Sequence, residues 1–384
     1  MFDFNNAAVR KGTGSLKWDL RPDVLPMWVA DMDFKTAPCI IEAIEKRVQQ
    51  GAFGYHILTN DWYEAYRNWW RSRHHWEIDA KWLIFATGIV PAITCLVQRL
   101  SNVGDKVLVM TPVYDIFFHS IENFGCHVLE SKLTYSSGRY SINWDDMERC
   151  MADPLTTLMI LCNPHNPAGI LWTKDELSQI GILAKRYGVT VISDEIHCDI
   201  TRPGSEYVPF ASVSDTCASL SVTCISPSKA FNIAGINTAA VVVPNRDLRE
   251  IVKRGLNSCE YAEPNAFAVA ATVAAFNSGG QWLDELRTYV YDNINLAERF
   301  IHDRLKDMIA VNGGATYLLW LDCSAWTEDT TALAADLCKK DKLWLTAGSQ
   351  YRGNGARFLR MNLACPESTV REGLKKLYDG MRRQ

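Results

Sequence analysis

Short apolar segments alternate with helical patterns between about residues 81 and 245. The segments predicted to be strands are 82–86, 106–110, 127–129, 157–161, 190–193, 220–225 and 238–243. Helical periodicity lies between several of them, as in Lys174–Tyr187 after the N-cap candidate Thr173. Most of the strand segments are apolar throughout, which is typical of strands covered on both faces. The pattern therefore predicts an α/β fold with a mostly parallel seven-stranded sheet between helices.

The pattern changes after Gly279 and Gly280, which indicates a second, smaller α+β domain. We expect a long helix over 282–308, strands at 316–322, 343–347 and 358–363, a helix over Thr331–Lys340 and a terminal helix. At 384 residues the chain exceeds the size at which one hydrophobic core stops growing. The predicted division is an N-terminal segment 1–45 packed with the small domain, a large domain 46–280, and a small C-terminal domain 281–384.

Composition narrows the class of protein. Hydrophobic residues make up 48% and charged residues 22%, as in ordinary globular enzymes. The net charge is −4 and the sequence has no basic stripe, which disfavours nucleic-acid binding. No segment has the apolar length of a membrane span, and we expect no signal peptide. These features predict a cytoplasmic protein with a small-molecule substrate.

The 12 cysteines are scattered singly, and no Cys-x-x-Cys motif is present. Several lie inside strand-like segments, where buried free thiols are common. This distribution is typical of a reducing cytoplasm and disfavours both disulfides and a metal site.

Three motifs carry most of the chemistry, namely SPSKAFN, SDEIH and NPHNPAG. They supply an amine from Lys229, a carboxylate from Asp194 and an amide from Asn166. Pyridoxal phosphate (PLP) needs an amine to hold its aldehyde, an acid at its ring nitrogen and a donor at its phenolate oxygen. Each motif follows a strand-like segment, and ligands bind beyond the carboxyl ends of such strands. Together the motifs predict one PLP site.

Each of these residues also has a structural interpretation. Lys229 could be a surface lysine in a serine-rich turn, and Asp194 could begin a loop or cap a helix. Glu195 is expected to be structural, whereas His197 could contact the cofactor oxygen or support Asp194. Asn-Pro is also ordinary turn chemistry, so Asn166 depends on its neighbouring motifs for a functional assignment. The coincidence of all three motifs favours catalysis.

A phosphate site is predicted where the first strand leads into a helix over 92–100. Pro91 suits the first helical turn, and the backbone N–H groups of Gly88, Ile89 and Val90 are free to bind an anion there. Ser226 could add a hydroxyl group. A Thr-Gly pair before a helix is weak by itself, but its position beyond a strand strengthens the prediction.

Two further residues follow or lie within apolar segments. Tyr114 could stack on the pyridine ring or be an ordinary core aromatic residue. Arg360 lies within an apolar strand-like segment, where a guanidinium group needs an anion. That anion could be the α-carboxylate of a substrate, bound in the bidentate geometry that guanidinium favours, or the partner in a structural ion pair.

These motifs together identify a family. With KWD, MWVADMDF, FGY, SDEIH and SKAFNIAG, the chain resembles the aspartate-aminotransferase superfamily of PLP enzymes (fold type I) over essentially its whole length. Within it, the chain is similar to the cystathionine β-lyase or C–S lyase branch, which includes cystalysin and the maltose-regulon modulator. His197 stands where many aminotransferases of the superfamily carry tyrosine, which favours the lyase branch.

The resemblance implies roles for the residues of the motifs. Lys229 would be the Schiff-base lysine, Asp194 would contact the ring nitrogen, and Tyr114 would stack on the ring. Asn166 would contact the phenolate oxygen and lie beside the substrate. Arg360 would bind the substrate carboxylate.

It also implies that the backbone near Ala30 helps to bind the substrate carboxylate. Tyr55 would reach the phosphate of a neighbouring subunit, which makes a homodimer the expected assembly. The chain departs from aspartate aminotransferases at Asn237, where they carry a phosphate-binding arginine. The phosphate would then depend on backbone amides, Ser226, Ser228 and Tyr55.

The predicted activity is β-elimination on L-cystathionine or a cysteine S-conjugate, giving pyruvate, ammonia and a thiol. An aminotransferase is the first alternative, because it shares every step up to loss of the Cα proton. A regulatory, protein-binding role on the same fold is the second alternative. The motifs do not distinguish among the possible sulfur amino acids, nor between a biosynthetic and a degradative role.

Overall fold

The computed structural model describes residues 2–383. The first helices are α1 Leu16–Asp19, α2 Pro38–Gln49, α3 Asn60–His74, α4 Ile89–Leu100, α5 Ile116–Glu122 and α6 Trp144–Met151. They are followed by α7 Lys174–Tyr187, α8 Asp215–Leu220, α9 Arg246–Ser258, α10 Ala268–Ser278, α11 Gly280–Arg304, α12 Thr331–Lys340 and α13 Glu367–Met381. None of the helices in this range is both long enough and apolar enough to cross a membrane.

The strands of the first half are β1 Leu25–Pro26, β2 Leu83–Ala86, β3 Lys106–Thr111, β4 His127–Lys132, β5 Thr134–Ser136, β6 Arg139–Ser141 and β7 Thr156–Cys162. Those of the second half are β8 Thr190–Asp194, β9 Ser221–Ile225, β10 Ala239–Val242, β11 Ile309–Val311, β12 Leu318–Asp322, β13 Leu343–Trp344, β14 Thr346–Ala347 and β15 Phe358–Asn362.

A seven-stranded sheet forms the centre of the large domain, in the order β2-β10-β9-β8-β7-β3-β4. Strand β10 runs antiparallel to both its neighbours, and the remaining pairs are parallel. All seven strands coincide with predicted segments, and strands β2, β8, β9 and β10 are almost entirely buried. The predicted fold class is confirmed. Because the central strands are parallel, their carboxyl ends meet at one edge of the sheet.

Some predicted boundaries were wrong, for local reasons. Helix α4 begins at Ile89 rather than at residue 92, so Pro91 occupies its third position. The long helix covers Gly280–Arg304 rather than 282–308. The single strand predicted over 343–347 is two short strands: β13 pairs with β1, whereas β14 pairs with β15. A continuous apolar segment does not reveal that its two halves pair with different partners.

The smaller sheet has the order β11-β12-β15-β14. Strand β15 lies between β12 and β14 and carries Arg360, which pairs in register with Trp320 and Thr346. The N-terminal segment joins this region because Leu25 pairs with Leu343. These contacts accord with the predicted division of the chain, which stays a prediction.

Candidate active site

A cavity of about 490 Å³ lies at the carboxyl edge of the large sheet. Most of the residues predicted for the site line it, namely Ala30, Gly88, Ile89, Val90, Tyr114, Asn166, Asp194, His197, Ser228, Lys229 and Arg360. They come from the ends of several strands, from the N-terminal segment and from the smaller sheet. Residues far apart in sequence therefore converge on one chamber, as expected for a ligand site in an open α/β sheet.

Lys229 follows strand β9, and its ammonium group is the only protein amine lining the cavity among residues 2–383. Its Nζ donates to the backbone oxygen of Ala30 at 2.6 Å. Burial lowers the pKa of Lys229, and the charge of Arg360 adds to this effect, while the charge of Asp31 opposes it. A lysine with a lowered pKa loses its proton more readily, so the amine is suited to act as a nucleophile and a base.

Asp194 is the last residue of strand β8 and is only 4% exposed. One oxygen accepts from the backbone N–H of Ile196 at 3.1 Å, and no side chain among residues 2–383 donates to either oxygen. Burial raises the pKa of Asp194 to about 7. A carboxylate left with so few donors is stabilised by a cationic or protonated group entering the cavity.

His197 is buried, and its Nδ1 has no hydrogen-bond partner among residues 2–383. Burial lowers the pKa of His197 to about 3, with the charges of Lys229 and Arg360 contributing, so the ring is neutral at physiological pH. Its edge contacts the ring of Tyr317 at 6.1 Å between centroids. Within the described part of the chain no hydrogen bond joins His197 to Asp194, so this structure favours the interpretation in which the ring faces a ligand.

Arg360 is 4% exposed and binds other protein groups instead of a carboxylate. Its Nη1 donates to Asn166 Oδ1 at 3.0 Å, and its Nη2 donates to the backbone oxygen of Trp28 at 2.8 Å. Its Nε is buried and receives no partner from the part of the chain that the structure describes. No ion pair to Arg360 is formed by residues 2–383, so the structural ion pair considered above is not present, and the guanidinium could bind a substrate carboxylate.

Gly88, Ile89 and Val90 line the cavity at the start of helix α4. Their position allows N–H groups of the first turn to bind an anion. Ser228 lines the cavity as predicted, whereas Ser226 does not. The Ser226 hydroxyl instead lies behind it, donating to the backbone oxygen of Thr238 at 2.7 Å and lying 2.9 Å from Ser228 Oγ. This corrects the prediction for Ser226, since a hydroxyl engaged with the backbone is not presented to the cavity.

Tyr114 lines the cavity, and burial raises the pKa of its hydroxyl. Its ring meets that of Phe117 in an edge-to-face arrangement, with 5.7 Å between the centroids. Tyr55 is different: it is fully exposed and lies in an adjoining groove of about 680 Å³, which shares Asn237 with the cavity. Within a single chain Tyr55 therefore does not line the site.

An N-terminal loop holds Ala30 at the cavity, which explains the KWD and MWVADMDF motifs. Lys17 is 1% exposed and donates to Asp33 at 2.8 Å and to the backbone oxygen of Asp31 at 3.0 Å. From strand β15, Asn362 donates to the backbone oxygens of Val29 at 2.6 Å and Asp31 at 2.7 Å. A buried ion pair and an amide clamp thus fix the loop against the smaller sheet.

Several lining residues were not predicted from the sequence: Leu16, Asp115, Cys162, Thr238, Thr346 and Gln350. Apart from Asp115, which directly follows Tyr114, they belong to no recognisable motif. Position beside a predicted ligand-contacting residue is the one sequence signal that could have identified Asp115.

A possible metal-binding cluster lies elsewhere, where His74, Cys198 and Asp199 have potential ligand atoms within 4.8 Å of one another. Asp199 already accepts from Trp69 Nε1 at 3.0 Å and contacts His74 Nε2 at 2.9 Å. Burial raises the pKa of the Cys198 thiol, which opposes the thiolate that a metal would need. We interpret the cluster as a hydrogen-bonded link between helix α3 and the loop after strand β8. The absence of a metal stays a prediction.

The cavity fits PLP by the chemistry of its own residues. Asp194 offers a buried carboxylate that lacks a cation, Lys229 offers an amine, and His197 and Asn166 offer neutral polar groups. The volume of about 490 Å³ lies in the range usual for cofactor sites.

The fold and this site define a class of protein. The family model for class I and II aminotransferases matches residues 22–377, and the chain belongs to that family. The resemblance predicted from the motifs is confirmed.

Three similar proteins refine the position of the chain within the family. Cystathionine beta-lyase PatB of Bacillus subtilis (strain 168) is 41% identical over 381 residues, which cover 98% of each chain. Protein MalY of Escherichia coli (strain K12) is 32% identical over 100% of this chain and 99% of its own length. The structure of cystalysin from Treponema denticola, described as containing a pyridoxal 5'-phosphate cofactor, matches with a TM-score of 0.96 at 31% identity, covering 100% of this chain and 99% of cystalysin.

Proposed function

We propose that the protein is a PLP-dependent carbon–sulfur lyase that cleaves cysteine S-conjugates such as L-cystathionine by β-elimination. The observation that carries this proposal is the convergence of Lys229, the cation-free carboxylate of Asp194 and the guanidinium of Arg360 on one cavity. The names of the relatives PatB and cystalysin support the lyase branch over the rest of the family. Water enters the overall reaction, and the products are pyruvate, ammonia and a thiol.

PLP, when bound, supplies an aldehyde that captures the substrate amine and a ring that withdraws electrons from Cα. Asp194 would hold the proton at the ring nitrogen, since its buried carboxylate has only one backbone donor. Asn166 and His197 would contact the phenolate oxygen, and Tyr114 would cover one face of the ring. Ser228 and the first N–H groups of helix α4 would bind the phosphate.

Arg360 would hold the substrate α-carboxylate through the edge that contains its unpartnered Nε, while Asn166 and the Trp28 carbonyl fix the other two nitrogens. This orients the Cα–H bond toward Lys229, whose pKa is lowered by burial. Lys229 would take the Cα proton as a general base at close range. The electron pair left at Cα forms the double bond to Cβ as the Cβ–S bond breaks, and Lys229 would return a proton to the departing thiolate.

The test is pyruvate release from L-cystathionine by the purified holoenzyme without any keto acid. Sustained turnover is expected, and Lys229→Ala should abolish it because the amine serves both capture and proton transfer. A single turnover that resumes only on addition of an α-keto acid would instead establish the aminotransferase alternative, which the family match also allows.

The assembly is part of the proposal. Tyr55 is fully exposed in a segment whose neighbours Phe53 and Ile57 are 54% and 80% exposed. A second copy of the chain covering this segment would bury these side chains and bring Tyr55 to a neighbouring cavity. We propose a homodimer on this basis. A cytoplasmic location is proposed from the cysteines, all 12 of which are free thiols.

A further inference from the structure

Asp115 is a cavity-lining carboxylate for which the proposed mechanism has no use. It follows Tyr114 directly and precedes helix α5, Ile116–Glu122. Its side chain makes no hydrogen bond to cap that helix. Within residues 2–383 it forms no ion pair. Asp115 is therefore a half-buried carboxylate that, within this range, is stabilised only by backbone N–H groups at Asp115 and Ile116 and by the charges of Arg360 and His119, without an ion pair.

The charge of Asp115 acts on the substrate side of the cavity. Burial raises the pKa of Tyr351 to about 12, and the negative charge of Asp115 contributes to that increase. The same charge contributes to the raised pKa of Tyr114, after the larger effect of burial. Tyr351 lies under Arg360, with the guanidinium 5.2 Å from its ring centroid. These neighbours place Asp115 in the half of the cavity that contains Arg360.

Arg360 does not neutralise Asp115. Its charge lowers the pKa of Asp115, but the larger effect is burial, and the net result is a raised pKa. Two guanidinium nitrogens of Arg360 are held by Asn166 and Trp28, and no contact with Asp115 within 4.0 Å is formed. A cation bound in this half of the cavity would therefore stabilise the ionised carboxylate of Asp115 and would be stabilised by it in turn.

Only one part of the substrate can supply that cation. In the mechanism above, the α-amine is captured by the cofactor and the α-carboxylate is bound by Arg360. The substituent on sulfur is the remaining part, and Asp115 belongs to the cavity lining that the cofactor and the α-carboxylate leave unassigned. We propose that Asp115 is a specificity-determining residue that selects thioether substrates with an ammonium group on the sulfur substituent. This inference rests on the proposed carbon–sulfur lyase function.

Two cysteine thioethers of nearly equal size test the inference. S-aminoethyl-L-cysteine ends in an ammonium group, and S-propyl-L-cysteine ends in a methyl group at the same position. With the wild-type holoenzyme, we expect kcat/KM for pyruvate release to be about tenfold higher for the aminoethyl compound, the scale of one charge-assisted contact. Asp115→Asn keeps the shape and removes the charge, so the ratio should fall to near one.

Asp145→Asn is the matched control, because Asp145 is an exposed carboxylate on helix α6 away from the cavity. It changes the net charge equally and should keep the wild-type ratio. An equal rate for both compounds with wild type, or a preference that survives Asp115→Asn, would overturn the inference while leaving the lyase intact.

Absence of pyruvate from either compound would instead count against the proposed function. In that case the preference is measured as the ratio of the Kd values of the two thioethers, obtained by titrating the absorbance of the holoenzyme, which requires no turnover. A ratio near one in wild type would overturn the role of Asp115 in that case also, and a preference lost only in Asp115→Asn would support it.

Discussion

Asp194 and Glu195 are adjacent carboxylates that are buried to a similar extent but differ in the number of hydrogen bonds that they accept. They are 4% and 0% exposed, and burial raises the pKa of each to about 7. Among the described residues, the Asp194 carboxylate accepts one hydrogen bond, from the backbone N–H of Ile196. Glu195 receives four, and all of them come from the protein.

The donors to Glu195 surround its carboxylate. Ser193 Oγ donates to Oε1 at 2.7 Å, the Phe210 N–H at 2.9 Å and Asn163 Nδ2 at 3.4 Å, while Tyr207 donates to Oε2. Since buried polar groups are normally satisfied, the complete set around Glu195 is structural. The incomplete set around Asp194 indicates a ligand. Burial and pKa are alike at the two positions, so the number of donors is what distinguishes a structural carboxylate from a functional one.

The largest expected effect is on catalysis by Asp194→Asn. The amide keeps the shape but cannot pair with a protonated ring nitrogen, and breaking a buried ion pair costs about 3–5 kcal/mol. We expect kcat/KM for pyruvate release to fall on the order of 10³-fold at saturating PLP. Near wild-type activity would show that Asp194 needs no cation, and the contrast with Glu195 would be lost.

Side-chain direction explains which parts of the site could be predicted. Apolar segments of strand length determine the sheet, and residues that follow them, such as Asp194 and Lys229, must lie at its carboxyl edge. Whether a side chain there turns into the cavity depends on local hydrogen bonds. Ser226 turns away to a backbone oxygen, whereas Asp115 faces the cavity. Spacing alone carries no information about either direction.

The next effect is on stability and concerns both carboxylates in the cofactor-free protein. An acid whose pKa is raised from 3.8 or 4.5 to about 7 holds its proton more tightly in the folded state than in the unfolded state. The free energy of unfolding should therefore fall as pH rises from about 4 to about 7, by about 1.4 kcal/mol per pH unit for each group. Urea unfolding at several pH values measures this slope.

The same experiment separates the two positions. In the cofactor-free protein, Asp194→Asn should remove the part of the pH dependence of unfolding that Asp194 contributes. In wild type, bound PLP should remove the same contribution, because it supplies a cation to the Asp194 carboxylate. PLP should leave the contribution of Glu195 to this pH dependence unchanged. If PLP changed the contributions of Asp194 and Glu195 equally, the assignment of Asp194 alone to the cofactor would be contradicted.

Glu195→Gln should have a smaller effect, and on stability rather than on chemistry. The substitution puts an NH2 group where one carboxyl oxygen accepts hydrogen bonds, and this mismatch should lower the free energy of unfolding by about 1–3 kcal/mol at pH 5, where Glu195 is protonated and burial of its charge has no effect. Activity per folded molecule should stay close to that of wild type, measured as pyruvate release normalised to bound PLP. A loss as large as that of Asp194→Asn would mean that Glu195 also takes part in the reaction.

The smallest effect is expected for Ser193→Ala, which removes one of the four donors to Glu195. The hydroxyl is fully buried, and its loss leaves the carboxylate with three partners, so we expect a decrease of about 1 kcal/mol in the free energy of unfolding. Ser214→Ala is a suitable control, since Ser214 caps helix α8 away from the cavity and its loss has a similar cost of about 1 kcal/mol. Both variants should keep wild-type kcat/KM. If Ser193→Ala alone lowered kcat/KM, the hydrogen bonds around Glu195 would be holding Asp194 in place, and the two carboxylates would form one functional unit.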